Sequence, residues 1–182
     1  MMKLAICVFT QPEVVKVFLG LAQIKADDIV CDLGCGDGRL LISAVNDYGA
    51  QKAIGYEMRE DLCISAREEI RNLQLQDRIE IVHADLLEAD LSNCSVVTIY
   101  LSNEANELLR IKLQEQLKPG SRVVCYSYPI NSWNIAEEVR LQDLNQSTKK
   151  FMDALYLYHI PEAYTSRFHN IMLLTKSFVL SH

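Results

Sequence analysis

Val30-Cys31-Asp32-Leu33-Gly34-Cys35-Gly36-Asp37-Gly38-Arg39-Leu40 is the stretch whose reading decides the fold. An apolar run ends in an acid, crosses three alternating glycines and resumes as an apolar-periodic segment. The pattern predicts a strand, a tight turn and a helix N-terminus set against a ligand. Glycine lets the backbone turn with positive φ and brings main-chain N–H groups close to what binds there. The spacing is G-x-G-x-G, which differs from the dinucleotide fingerprint G-x-G-x-x-G. Asp32, two residues before the first glycine, would repel a pyrophosphate and attract an ammonium group.

S-adenosylmethionine (SAM) carries an α-ammonium and a sulfonium and has no phosphate, so it is the cofactor this loop predicts. Asp32, Gly34, Cys35, Gly36, Asp37, Gly38 and Arg39 form the loop side of the expected site. Asp37 is open to two roles, capping the next helix or meeting the methionine end of the ligand. Glu57 ends the next apolar run, 19 residues after the last glycine. Nucleotide folds place a ribose-binding carboxylate about 20 residues on. Its two oxygens suit a diol. Met58 beside it joins the cofactor set. Asp85 follows a third run and can accept from the exocyclic amine of adenine, with Leu86 packing on the ring. Asp85 can equally cap the turn that follows it.

Outward from the loop, helix and strand alternate. Helices are expected from Gln11-Pro12-Glu13 with Thr10 as cap and Val14, Val17, Phe18 and Leu21 on one face. Others run from Arg39 to about Tyr48, from Glu60 to Leu73 and from Glu104 to Leu117. Strands are expected at 29–32, 52–57, 78–84, 96–101 and 121–128. This alternation predicts βαβ units, a mostly parallel sheet and right-handed crossovers, with ligands outside the carboxyl ends of the strands. After Pro129 the pattern changes. Residues 131–150 are polar and poorly periodic, while 154–160 and 170–175 read as strands able to form an antiparallel hairpin at the sheet edge.

The fourth strand ends Tyr100-Leu101-Ser102-Asn103, where a reactive methyl is expected. Tyr100 can face a sulfonium. Ser102 and Asn103 can orient the acceptor or cap the helix that follows. The fifth strand ends Tyr126-Ser127-Tyr128-Pro129, and alternation puts Tyr126 and Tyr128 on one face. With Trp133, Tyr128 is a candidate wall for an aliphatic amine; aromatic core packing is the competing reading.

The chain has 182 residues, 49% of them hydrophobic, and a formal net charge of −6. That length suits one domain with a full core. We divide it into an N-terminal arm and helix (1–28), a cofactor-binding core (29–128) and a substrate-side loop with C-terminal strands (129–182). The acidic balance argues against a broad nucleic-acid footprint and suits a basic partner. No apolar run approaches the roughly 20 residues of a membrane span. Six cysteines and four histidines show no metal-ligand spacing, so no metal is expected and the thiols fit the cytoplasm.

The glycine loop, Glu57 and Asp85 together resemble the class I SAM-dependent methyltransferases. A closer resemblance lies in Gln11-Pro12-Glu13-Val14-Val15, Asp32 to Arg39, Gly55-Tyr56-Glu57, Ser102 to Leu109, Leu117 to Val124 and Tyr156-Leu157-Tyr158. These segments are similar to the archaeal protein-lysine methyltransferase family and its mitochondrial relatives, over roughly residues 10–160. The resemblance implies a Rossmann-like sheet of seven strands with helices on both faces, SAM as methyl donor and a lysine-bearing protein as acceptor. The chain departs from the family at Val8-Phe9-Thr10-Gln11, where Tyr and Pro are expected before the Thr. It departs again in a longer tail after Ile160. Two rivals stand beside this reading: a SAM methyltransferase acting on a small molecule or RNA, and a non-catalytic SAM-binding protein.

Overall fold

A computed structural model describes residues 9–141 and 154–164. Its strands are β1 (Ile29–Leu33), β2 (Lys52–Glu57), β3 (Ile79–His83), β4 (Val96–Ile99), β5 (Arg122–Tyr126), β6 (Glu137–Arg140) and β7 (Ala154–His159). They form one seven-stranded sheet in the order β3-β2-β1-β4-β5-β7-β6. The first five are parallel, and β7 runs antiparallel between β5 and β6. The chain moves outward from β1 to β3, then returns to place β4 on the other side of β1. The crevice at the carboxyl ends of β1 and β4 is therefore the switch point where such sheets bind ligands.

Side-chain alternation along the central strands feeds two cores. Val30, Val96, Val124 and Tyr126 face α1 (Pro12–Ala22), α2 (Arg39–Asn46) and α3 (Glu60–Asn72). Cys31, Val97, Ile99 and Cys125 face α4 (Asn103–Gln116) and a 3₁₀ turn at Leu86–Glu88. Burial on both faces explains why these strands read as continuous apolar runs. Gly55 in β2 has a packing reason of its own. A Cβ there would lie 2.5 Å from Leu41 Cδ1 and 2.6 Å from Cys35 Sγ. Its hydrogen gives Cys35, the residue between the first two glycines, room to tuck against the sheet.

At the amino ends of the strands, Asp28 Oδ1 accepts from the Arg122 guanidinium and from the Ser95 hydroxyl. Lys25 N–H donates to Asp28 Oδ2 at 2.6 Å. Arg122 also donates to the carbonyls of Ala22 and Gln23 at the end of α1. One buried ion pair thus ties the first helix to β1, β4 and β5.

Several expectations shift. Gln11, not Thr10, is the residue before α1, and it makes no side-chain cap. The buried face of α1 is Val15, Phe18, Leu19, Leu21 and Ala22, with Val14 and Val17 half-buried at its margin. Leu73 falls just past α3 and is exposed. The edge partner of β7 is β6, Glu-Glu-Val-Arg, within the region expected to be irregular. Only Val139 of β6 packs inward, so no alternation signals it; a short charged edge strand also resists pairing with other chains. The expected strand at 170–175 lies outside the described residues.

Candidate active site

The glycine loop joins β1 to α2 with φ of +87° at Gly34, +56° at Gly36 and +79° at Gly38. All three lie in the left-handed region that glycine adopts without a Cβ penalty. Gly34 and Cys35 donate their N–H groups to the Tyr56 carbonyl at 2.8 and 3.1 Å, pulling the loop over the end of β2. There Glu57 Oε2 accepts the Gly36 N–H at 3.0 Å and Oε1 accepts the Arg59 N–H at 2.9 Å. Both oxygens are thereby oriented. Each keeps a second lone pair for a ligand hydroxyl.

Asp32 sits beneath the loop on the first core face, 4% exposed, and accepts the Thr98 hydroxyl of β4 at 2.7 Å. Burial pushes its carboxyl up to about 7; the Thr98 hydrogen bond opposes that rise, and the Glu57 and Asp37 carboxylates add to it. Asp37 is gripped by Arg39, whose Nε lies 2.9 Å from Oδ1, and its Oδ1 accepts the Arg39 N–H at 3.3 Å. Arg39 also donates to the Thr10 carbonyl at 2.7 Å and lies 4.8 Å from the centroid of Phe9. The arm before α1 therefore rests on the loop, with the Phe9 ring over Gly36. Arg39, expected on the ligand side, binds Asp37 and the arm.

Arg39 offsets Asp37, so Asp32 and Glu57 are the carboxylates at the glycine loop that suit a cation and oppose a phosphate. These residues suit SAM: Glu57 could hold the ribose diol, and Asp32 with the loop could meet the positive end. Met58 stands exposed after Glu57. Asp85 Oδ1 accepts the Leu87 N–H at 2.9 Å, so it caps the 3₁₀ turn and presents its other oxygen elsewhere. Leu86 is buried and lines an apolar pit with Leu87, Ala105, Leu108 and Leu109. Among the described residues no cluster of His, Cys, Asp and Glu could hold a metal ion.

At the ends of β4 and β5, the Tyr100 and Tyr126 rings lie 4.3 Å apart, and Phe18 meets Tyr126 edge-on. Tyr126, the last residue of β5, is the site neighbour that the strand-end reading underrated; its place at the carboxyl end of an apolar run was the available signal. Ser102 caps α4, its Oγ accepting the Ala105 N–H at 3.3 Å. Asn103 opens α4, and its Oδ1 accepts from Asn131 Nδ2 at 3.3 Å.

Tyr126 and Tyr128 do not share a strand face. The strand ends at Tyr126, Ser127 turns at φ +66°, and the Tyr128 N–H returns to the Tyr126 carbonyl at 2.9 Å. This is a strained three-residue γ-turn. It leaves Tyr128 half-buried. Trp133 is 7% exposed in the core of the second face, packed against Tyr158 and Tyr164. It lies across the sheet from the Tyr100–Tyr126 pair.

Residues 32–137 match the family described as the ANTKMT methyltransferase domain. The chain is 39% identical over 153 residues to a protein-lysine N-methyltransferase of Saccharolobus islandicus (strain REY15A), covering 84% of this chain and 92% of that protein. It is 33% identical over 102 residues to the adenine nucleotide translocase lysine N-methyltransferase of Mus musculus, covering 56% of this chain and 44% of that protein. A crystal structure of an RNA methyltransferase from Salinibacter ruber in complex with S-adenosyl-L-homocysteine superposes with a TM-score of 0.77 and 37% identity. It covers 85% of this chain and 95% of that one.

Proposed function

The chain belongs to the ANTKMT methyltransferase domain family and is a SAM-dependent methyltransferase, and from that premise we propose that its acceptor is the ε-amine of a protein lysine. The observation that carries the choice of acceptor is the similarity to a protein-lysine N-methyltransferase along nearly the whole of both chains. Charge supports it. Asp85, Glu88 and Glu104 border the carboxyl ends of the strands, while Arg39, Arg59 and Arg110 are held in ion pairs by Asp37, Asp61 and Glu107. Such a rim favours a cationic polypeptide over a polyanion.

When bound, SAM supplies an electrophilic methyl whose C–S bond breaks with the electron pair left on sulfur. The protein's task is to deliver a neutral amine in line with that bond. A free lysine titrates near about 10.4, so it arrives protonated. Desolvation beside the Tyr100–Tyr126 pair favours the neutral form. Holding the amine at attack distance then supplies much of the acceleration without a strong base. After attack the new ammonium releases its proton to water. In this reading Tyr100 and Ser102 stand at the methyl, Asn103 and Tyr128 border the acceptor path, and Trp133 supports that border from the core. No described helix is long and apolar enough to cross a membrane. Cys31, Cys35, Cys63, Cys94 and Cys125 are unpaired, in keeping with a reducing cytoplasm.

RNA is the second reading, favoured by the similarity to the Salinibacter ruber RNA methyltransferase. Tritium-labelled SAM with a cell lysate separates the two. The expected label is on protein, at lysine after hydrolysis; label on RNA overturns the lysine reading, and binding without transfer overturns catalysis.

A further inference from the structure

Asn106 stands in the first turns of α4, fully buried, and spends half of its amide on a loop across the site. Its Nδ2 donates to the Tyr128 carbonyl at 2.8 Å. Its Oδ1 is buried without a hydrogen-bond partner among the described residues. Leaving an amide oxygen unpaired costs about 1–3 kcal/mol, and a leucine would fill the same space without that cost. Packing alone therefore does not account for an amide here. The Nδ2 bond does, because the loop it holds is strained at its start by the γ-turn at Ser127.

The next residues of α4 hold the same loop. Glu107 Oε1 accepts the Asn131 N–H at 2.8 Å, and Arg110 fixes the other oxygen of Glu107 at 3.1 Å. Asn103 Oδ1 accepts the Asn131 side chain. From below, Ile130 N–H donates to the Tyr158 hydroxyl at 2.9 Å. Asn106 is the only one of these groups bonded to Tyr128 itself. We propose that Asn106 is a positioning residue for the methyl acceptor, fixing the Tyr128 segment that borders the acceptor path while leaving cofactor binding untouched. The inference rests on the reading that the acceptor passes Tyr128.

Asn106→Asp tests it. An ionised carboxylate has no donor for the Tyr128 carbonyl, whereas the protonated acid regains one. Burial holds such an acid protonated above the ordinary range. Among the described residues, Glu107, held by Arg110, and Tyr158 are the titratable side chains bonded to the loop, and all three groups remain in the variant. Rates are measured on the lysate protein fraction labelled by the wild-type chain, and SAM affinity by calorimetry. At pH 9 the variant is expected to transfer roughly tenfold more slowly at low acceptor concentration, with SAM affinity within about twofold of wild type. The ratio of variant to wild-type rate is expected to rise as pH falls to 6, which cancels the titration of the acceptor itself. A ratio flat with pH, or SAM affinity falling in step with rate, overturns the proposal. Asn106→Leu, which buries no charge, carries the same expectation without the pH dependence, and an unchanged acceptor KM in it overturns the proposal as well. Tyr128→Ala separates the two levels. If it raises acceptor KM and the Asn106 variants do not, only the role of Asn106 fails; if none does, the acceptor path itself is misassigned.

Discussion

Asp28 stands just before β1 and Asp32 near its carboxyl end, both almost fully buried, and among the described residues only Asp28 has a cation. Burial alone would push both carboxyls up. At Asp28 the Ser95 hydroxyl, the Arg122 guanidinium and the Lys25 N–H outweigh it and hold the group below its ordinary value. At Asp32 one hydroxyl opposes burial and two neighbouring carboxylates, so the group stands at about 7. The amino end of β1 is electrostatically closed. Its carboxyl end is left short of positive charge, at the point where a cationic cofactor is expected.

Asp32 binds its proton more tightly folded than unfolded, so its contribution to stability is full below about pH 4 and is lost as pH rises through about 7. Asn in its place carries no charge to desolvate and can still accept from Thr98. Asp32→Asn is therefore expected to stabilise the ligand-free chain at pH 8.5 by up to about 4 kcal/mol, and by little at pH 4. Denaturant midpoints at the two pH values check this. The same variant should bind SAM at least about tenfold more weakly, since a buried charge partner is worth about 1.5–3 kcal/mol. A gain in stability that does not depend on pH would refute the electrostatic account.

Asp28 has the opposite sign. Its lowered value means stability that is present above the ordinary carboxylate range and lost as pH falls through the folded value. Arg122→Ala leaves the carboxylate buried without its cation, for an expected loss of about 3–5 kcal/mol. Arg122→Met with Asp28→Asn removes both charges and should recover much of that loss. SAM affinity, measured at the far end of the strands, should stay within about twofold in the folded double variant, because well-separated sites act nearly independently. If the double variant is no more stable than Arg122→Ala, the pair is not what holds α1 to the sheet.

The two aspartates also show what a linear reading can see. Asp32 was legible because its partners in the argument, the glycines and Glu57, lie within one βαβ unit. Asp28 read as a turn residue, since its cation is 94 residues away and nothing local marks Arg122 as buried. Strands buried on both faces announced themselves as apolar runs and were placed to within a few residues. Glu137–Arg140 could not be, because an exposed edge strand needs no alternation. The γ-turn at Ser127 broke an extrapolated alternation, and Trp133, read from proximity to Tyr128, answers instead to the core on the second face.

Gly55 predicts a coupling between core packing and cofactor binding. A methyl at this position meets Cys35 Cβ at 2.8 Å as well as Leu41, and Cys35 belongs to the loop. Gly55→Ala is expected to cost about 1–3 kcal/mol by overpacking and to weaken SAM binding through the displaced loop. Gly20→Ala is the control. It lies within α1 with nothing near a new Cβ, so it should stabilise by about 0.5–1 kcal/mol with SAM affinity unchanged. Thermal midpoints and calorimetry on both variants decide the matter; a Gly55→Ala chain with native stability would show that the Cys35 side chain has room to move.

Glu57 gives the most direct test of the cofactor site. Its two oxygens each accept a backbone N–H, from Gly36 and from Arg59. A glutamine has one acceptor oxygen and an NH₂ group, so one of those N–H groups would face another donor. Glu57→Gln should therefore disturb the centre of the glycine loop as well as the ribose contact. Each charge-assisted bond contributes about 1.5–3 kcal/mol, so the expected loss of SAM affinity is roughly ten- to a hundredfold. Glu57→Asp keeps both acceptors but draws them back by one methylene. It should fall between glutamine and wild type if loop geometry dominates, and match glutamine if reach to the ribose dominates. Adenosine, which lacks the methionine end, provides the second readout. Its affinity should fall with that of SAM in Glu57→Gln, whereas in Asp32→Asn only SAM should weaken. Equal losses for adenosine and SAM in both variants would mean that the two carboxylates do not divide the cofactor between its ribose and its cationic end.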